Sequence, residues 1–258
     1  MIELNDYPLT LVFVISLALI LAASEIGHRL GLRAGDTGGA NIATLEASML
    51  GLLALMISFT FAMALTRFEA RRDAVLSEAN SIGTTALRAR LLPPPHNVES
   101  LTLLRQYVKV RLDVTRRVPT TLEMNAAIAR SNALQEALWQ QAAAVAAKSN
   151  AMIPTGFFIQ TLNEMIDNHE KRLTAGRNRV PNIALLALYA IAVVAIAFTG
   201  YAGAMEARRW RPAVYITGAL TAAMILLIQD LDRPGAGFVT VSQQPMIDVA
   251  ASLASYSD

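Results

Sequence analysis

The 258-residue chain is 54% hydrophobic and only 16% charged, whereas a soluble domain of this size carries about a quarter charged residues. Its mean hydropathy is +0.40, and its net charge of +2 calls for no polyanionic partner, nucleic acid included. The absence of cysteine excludes disulfides, thiolate metal sites and cysteine nucleophiles.

The apolar excess collects in four stretches, which is the pattern of a polytopic membrane protein. The first runs from Leu9 to Ser24, opens after Pro8 and ends at Glu25, His28 and Arg29. Met1–Asp6 is acidic where a secretory leader needs a basic start, so this stretch reads as a retained anchor. The second is uncharged from Ala47 to Thr66, the third from Val180 to Met205, and the fourth covers Pro212 to Gln229. Pro181 and Pro212 sit where a first helical turn tolerates proline.

The second stretch does not stop where the charges begin. From Arg67 to Leu92 there is no proline and one glycine, Gly83, before Pro93-Pro94-Pro95 ends the run. This predicts one helix from Thr44 to Leu92, roughly 70 Å long at about 1.5 Å per residue. It has to leave the bilayer by several turns.

Beyond the prolines, Leu101, Leu104, Val108 and Leu112 recur at helical spacing and predict a helix over Val98–Arg117, with Asn97 or Ser100 as its cap. Thr120 or Thr121 opens the next, Leu122–Ala147. Pro154 marks a turn before Gly156–Arg177, and the tail from Asp230 is irregular before any short final helix. The expected organisation is spans one and two in 1–66, a helical extramembrane domain in 67–179, spans three and four in 180–230, and a tail in 231–258.

Four spans place both termini and the central domain on one side. Arg67, Arg71, Arg72, Arg172, Arg177, Arg179 and Arg233 lie near span ends on that side, against Arg29, Arg33, Arg208, Arg209 and Arg211 on the other. That bias points the domain to the cytoplasm.

Several strings are more specific than periodicity. They are Arg67-Phe68-Glu69-Ala70-Arg71-Arg72, Glu78-Ala79-Asn80-Ser81-Ile82-Gly83-Thr84, Leu91-Leu92-Pro93, Asn163-Glu164-Met165-Ile166-Asp167, Asp230-Leu231-Asp232-Arg233-Pro234 and Val241-Ser242-Gln243-Gln244-Pro245. In this order and around four spans, the chain resembles the bacterial bestrophin-like domain family over residues 40 to 250. The resemblance implies an all-α membrane fold with cytoplasmic termini and a helical cytoplasmic region. It also implies a homo-oligomer, most simply a pentamer, that conducts small inorganic ions across the bacterial inner membrane. The second span of bestrophins lines the pore and carries a hydrophobic neck of large apolar residues one turn apart. The acidic cluster with which animal bestrophins bind calcium is missing here, so calcium gating does not carry over.

On that basis Leu53, Ile57 and Phe61, at i, i+4 and i+8, are the neck candidates, set against the plain reading of lipid-facing or core residues. Ala54, Ser58 and Ala62 form an adjacent small-residue stripe suited to close helix packing in lipid. Arg67, Arg71 and Arg72 at the exit either make a basic ring that favours anions or anchor the chain to phospholipid headgroups. Glu78, Asn80, Thr84, Asn163, Asp167, Asp230, Asp232 and Arg233 are candidates for a buried polar lock with Arg233 paired to carboxylates, or for an ion path. Convergence of Glu78, Asp167 and Asp230 on a metal is the remaining alternative.

Three scattered histidines, His28, His96 and His169, share no metal-binding spacing, and no metal or cofactor is expected. No G-x-S-x-G, G-x-x-x-x-G-K or G-x-G-x-x-G motif supports an enzyme. A second functional class is a membrane-anchored interaction or sensor protein without a conduction pathway; a third, a membrane-embedded enzyme or secondary transporter, would need a midplane polar site, and the four stretches hold no charged side chain at mid-depth.

Overall fold

The computed structural model describes residues 7–34, 39–116, 118–148, 152–205, 211–235 and 237–256. Met1–Asp6, Arg117, Arg208 and Arg209 lie outside them. The described residues contain no strand and form eight α-helices: α1 Leu9–Ala34, α2 Gly39–Ala89, α3 His96–Asp113, α4 Thr121–Lys148, α5 Phe157–Arg177, α6 Asn182–Met205, α7 Arg211–Asp232 and α8 Gln244–Ser255. A π-helical turn, Met152–Gly156, precedes α5, and Ile153 breaks from helical geometry ahead of Pro154.

Among the described residues, four helices are long and apolar enough to cross a membrane: α1, α2, the helix ending at Met205, and α7. α1 is longer than its uncharged core. Glu25 and Arg29 continue it as an i, i+4 ion pair at 2.9 Å instead of ending it. α2 is a single 51-residue helix, about 76 Å long by its rise. It closes with i−3 carbonyl bonds at Leu91 and Leu92 before the prolines take over. α3 starts after Pro95 without a side-chain cap, so neither Asn97 nor Ser100 caps it. At α4 the expected start is explicit. The Thr120 backbone N–H donates to Glu123 Oε2 at 2.9 Å, and the Glu123 N–H donates to Thr120 Oγ1 at 3.3 Å. This reciprocal pair is a capping box.

The chain divides into two compact units. The first comprises Met1–Phe68, Arg179–Arg233 and Gly237–Val239. Its core is built from Ile20, Leu53, Ala64, Leu188, Ala192, Ile196, Ala222, Ile225 and Ile228. Close approach between α1 and α6 rests on glycine. A Cβ on Gly27 would overlap the Ala197 carbonyl oxygen, and one on Gly200 would overlap the Ser24 carbonyl oxygen. Ser16, Tyr189 and Gln229 add a polar clasp: Tyr189 Oη lies 2.7 Å from Ser16 Oγ and accepts from Gln229 Nε2 at 2.9 Å.

The second unit holds Glu69–Asn178, Pro234–Ala236 and Thr240–Asp258. Its core packs Ile82, Leu104, Tyr107, Leu138, Phe158, Leu162, Met165 and Met246. α8 docks there. Arg105 donates to the Leu253 carbonyl at 3.1 Å and to the Tyr256 carbonyl at 2.8 Å, occupying acceptors that the end of α8 leaves open.

Candidate functional site

Within the first unit α2 presents two apolar faces. Leu53, Thr60 and Ala64, at i, i+7 and i+11, turn inward and are buried. Gly51, Ala54, Leu55, Ser58, Phe59, Ala62 and Thr66 turn outward and are exposed. The three neck candidates therefore do not share one environment. Leu53 is only 3% exposed and belongs to the unit's own core. Ile57 and Phe61 are half-buried and pack against the same core. Uniform apolarity around a membrane helix hides this division, because each face is chemically acceptable in either direction.

The small stripe Ala54, Ser58 and Ala62 is exposed, so no helix among the described residues covers it. The glycines of α1 and α6 carry the close packing. A small residue marks a close contact only where a partner helix is present to use it.

The exit arginines also separate. Arg71 is buried at 6% exposure, Arg67 is half-buried, and Arg72 is exposed. The three arginines thus differ in exposure. α2 turns 100° per residue, so Arg67 and Arg71 share the helix flank that faces inward while Arg72 does not. Glu69 and Asp73 stand exposed between them.

The second unit holds a buried ionic cluster around Glu78, outside the apolar spans. Arg111 Nε lies 2.9 Å from Glu78 Oε1, and Arg172 Nη1 lies 2.5 Å from Oε2. Tyr107 Oη donates to Oε1 at 2.7 Å. With its proton so committed, the Tyr107 oxygen faces His169 Nδ1 at 2.8 Å as an acceptor, which places a proton on His169 Nδ1. Gln135 Nε2 reaches the same oxygen at 3.4 Å. Arg172 Nη2 donates to Gln243 Oε1 at 2.8 Å and so ties in the segment before α8.

Burial by itself would raise the Glu78 carboxyl. The His169 contact and the Arg111 and Arg172 guanidiniums outweigh it and hold the group well below the usual carboxylate range. Burial, with the Glu78 charge behind it, pushes the Tyr107 phenol well above its ordinary value. Burial also lowers Arg172, against the opposing pull of Glu78.

Of the residues expected to form one polar lock, only Glu78 enters this cluster. Asn80, Thr84, Asn163 and Asp167 are exposed. Thr84 Oγ1 turns back to the Asn80 carbonyl at 3.0 Å. They lie on the solvent side of α2 and α5, one or two positions from residues that face inward. Asp230, Asp232 and Arg233 are buried in the first unit. Asp230 accepts from the Phe238 and Val239 backbone N–H groups at 2.8 and 3.0 Å, and Asp232 accepts from Val180 N–H at 2.8 Å. Arg233 donates to the Tyr7 carbonyl at 2.7 Å. These side chains fasten chain segments through backbone groups. Among the described residues no group of three carboxylates or histidines could hold a metal: Glu78 faces arginines, Asp167 faces outward and Asp230 serves backbone amides.

The partners of Glu78 were the residues that sequence reading missed. Their signal was nonetheless present. Tyr107 and Arg111 interrupt the apolar face of α3 four residues apart, and His169 and Arg172 interrupt that of α5 three apart, after Met165. A polar residue on a core-facing stripe has to find a partner.

The four membrane-length helices, the unbroken α2 and the ion-paired helical unit define an all-helical polytopic membrane protein. The bestrophin-like domain model matches residues 12–246, and the chain belongs to that family. The fold is similar to that of a bacterial bestrophin homologue from Klebsiella pneumoniae. One variant of that protein has a TM-score of 0.71 at 14% identity, covering 94% of this chain and 96% of the other. A second structure, phased on zinc, gives 0.67 at 14% identity with 95% of each chain covered. A structure described as a membrane protein gives 0.69 at 15% identity over 93% and 97%. No curated protein matches the sequence.

Proposed function

We propose that the protein is an oligomeric bestrophin-like channel, a pentamer in the bacterial inner membrane, that passes small inorganic ions down their gradients. The observation that carries this reading is the exposure of α2. Only 17% of its most apolar window is buried within the chain, against 28%, 39% and 44% for the other three membrane-length helices. A membrane helix with one face on its own core and a second, longer face uncovered suits a position between its subunit and a shared axis.

In this arrangement Ile57 and Phe61 keep an accessible edge and form the constriction, with Leu53 packed behind them and Phe59 beside them. Ala54, Ser58 and Ala62 lie where neighbouring copies or the water path meet α2. Arg67 and Arg72 stand at the mouth and at the lipid headgroups. Residues 1–66 and 180–230 lie in the membrane, while 67–179, 231–258 and both termini are cytoplasmic. The Glu78 cluster fixes the helical unit that continues from α2, and no step of the function calls for catalysis or a cofactor.

Ion flux through purified protein in liposomes, together with the mass of the detergent-solubilised particle, tests the proposal. Flux and a ring-sized mass are expected. A monomer or dimer that passes no ion at any pH or voltage refutes it and leaves the membrane-anchored interaction protein as the surviving reading.

A further inference from the structure

We infer that the tip of the α3–α4 hairpin is an interfacial membrane contact: Val118 and Leu122 dip among the acyl chains of an anionic leaflet, and the basic side chains around them hold its phosphates. The inference needs the four spans and is independent of ion conduction.

The tip stands clear of its own core. The last buried residue of α3 is Arg111 and the first of α4 is Ser131. Between Leu112 and Arg130 no described residue is buried. Apolar side chains nevertheless continue through this stretch. Leu122 is 79% and Val118 58% exposed, and Val114, Met124 and Ile128 are half-buried outside the unit's core. The capping box of Thr120 and Glu123 starts α4 here, so Leu122 is presented on a fixed helical turn. Large apolar side chains held out in this way mark a surface that something else covers.

Position selects the cover. Glu78 of α2 meets Arg111 near the end of α3 at 2.9 Å, while Leu92 turns directly into the start of α3, so these helices are antiparallel. His96 meets Gln141 at 2.7 Å and Tyr107 meets Gln135 at 3.4 Å, which makes α3 and α4 antiparallel as well. From Gln135 back to Thr121, α4 runs 14 residues, about 21 Å. From Glu78 back to Glu69, α2 runs nine residues, about 14 Å. The tip therefore reaches the end of the second unit at which α2 enters, at Glu69, and α5 leaves, at Asn178. In the sequence the uncharged stretches ending at Thr66 and starting at Val180 lie within three residues of those two points.

The chemistry agrees with a lipid surface. Lys109, Arg116 and Arg130 are exposed around the tip. Of the acids in the same stretch, Asp113 pairs with Arg116 at 3.6 Å and Glu123 is held by the Thr120 cap. Basic side chains around a few bulky apolar ones suit the headgroup region, where their long stems let the charges reach phosphates while valine and leucine lie deeper. A second copy meeting this one tip to tip would bring the same cations to the contact, and they would repel.

The chain has no cysteine, so Leu122→Cys gives the full-length protein a single thiol for a fluorophore. The labelled protein is placed in nanodiscs of phosphatidylcholine and phosphatidylglycerol, with and without brominated acyl chains. Ala143→Cys, exposed on the same helix 21 residues further on and about 32 Å away, is the control. Bromolipid should quench the label at position 122 and spare that at 143, and aqueous iodide should do the reverse. Arg116→Gln should lower the ratio of immersed to free tip about fivefold in these discs, and high salt should act in the same direction. All these positions are exposed, elution at the wild-type volume verifies assembly, and no arm depends on current. A label at 122 that iodide reaches as freely as the one at 143 overturns the inference. So does a label shielded from both quenchers, which is the signature of a second copy over the tip. Bromolipid quenching that neither Arg116→Gln nor salt alters overturns the recognition of anionic headgroups.

Discussion

Replacing Glu78 with glutamine removes one negative charge from a fully enclosed site and almost no volume. The amide still accepts the Tyr107 hydroxyl, so packing and most hydrogen bonds survive. What changes is the charge on Arg111 and Arg172, which lie 2.9 and 2.5 Å from the carboxylate and are left as two like charges. Breaking a buried pair by deleting one partner costs about 3–5 kcal/mol. That is a large share of the roughly 5–15 kcal/mol by which a domain is stable. Hydrogen exchange on the intact protein in detergent reads this directly through amide protection in α3 and α5. Since every 1.4 kcal/mol is a factor of ten, the slowest amides of these helices should exchange about 10² to 10³·⁵ times faster in Glu78→Gln. Peptides of α1 and α6 serve as the internal reference. Adding Arg172→Gln should restore part of the protection, because the second change removes one of the two stranded charges. Exchange within threefold of wild type would refute the view that this cluster is a charge-compensated core. So would a double variant that is simply worse by the sum.

The same carboxyl sets an acid limit. Its folded form titrates well below the ordinary carboxylate value of 4.5. The stability it contributes is therefore full above that value and is lost as pH falls through the acid range; Glu78→Gln should flatten this decline in a pH series of thermal unfolding. Tyr107→Phe deprives Glu78 and His169 of the hydroxyl between them and should cost about 1–3 kcal/mol by the same exchange assay, with helix content unchanged by circular dichroism. Gly27→Val drives a side chain into the Ala197 carbonyl and should destabilise the first unit by about 1–3 kcal/mol or more. Gly51→Ala, whose Cβ would meet nothing within 4 Å, should be neutral or slightly stabilising in the same thermal assay. Ile57→Ala and Phe61→Ala should raise resting leak through liposomes, and no change in either would remove them from the constriction.

How far the sequence discloses this molecule depends on whether the deciding interaction is local. The α4 start was legible because Thr120 and Glu123 satisfy each other within one turn. The length of α2 was legible because helix formers run unbroken to three prolines. The π-helical turn at Met152–Gly156 carries no comparable signature beyond Pro154. Direction was the harder quantity. Between Ala47 and Thr66 every face of α2 is acceptable to lipid, protein or a partner copy, so periodicity alone could not turn Leu53 inward or Ala54 outward. The opposing helices make that choice, and α6 and α7 among them come from sequence more than a hundred residues away. The Glu78 cluster failed to be read for a related reason. Its carboxylate was evident, but the expected companions, Asn80 and Thr84 on α2 and Asn163 and Asp167 on α5, stand on the outward sides of their helices. The actual partners come from α3 and α5, where two arginines, a tyrosine and a histidine stand on core-facing stripes. In a membrane protein with an apolar majority, the informative residues are thus the polar ones placed where the helical period demands burial. Each such residue fixes the direction of its helix more firmly than the apolar side chains around it.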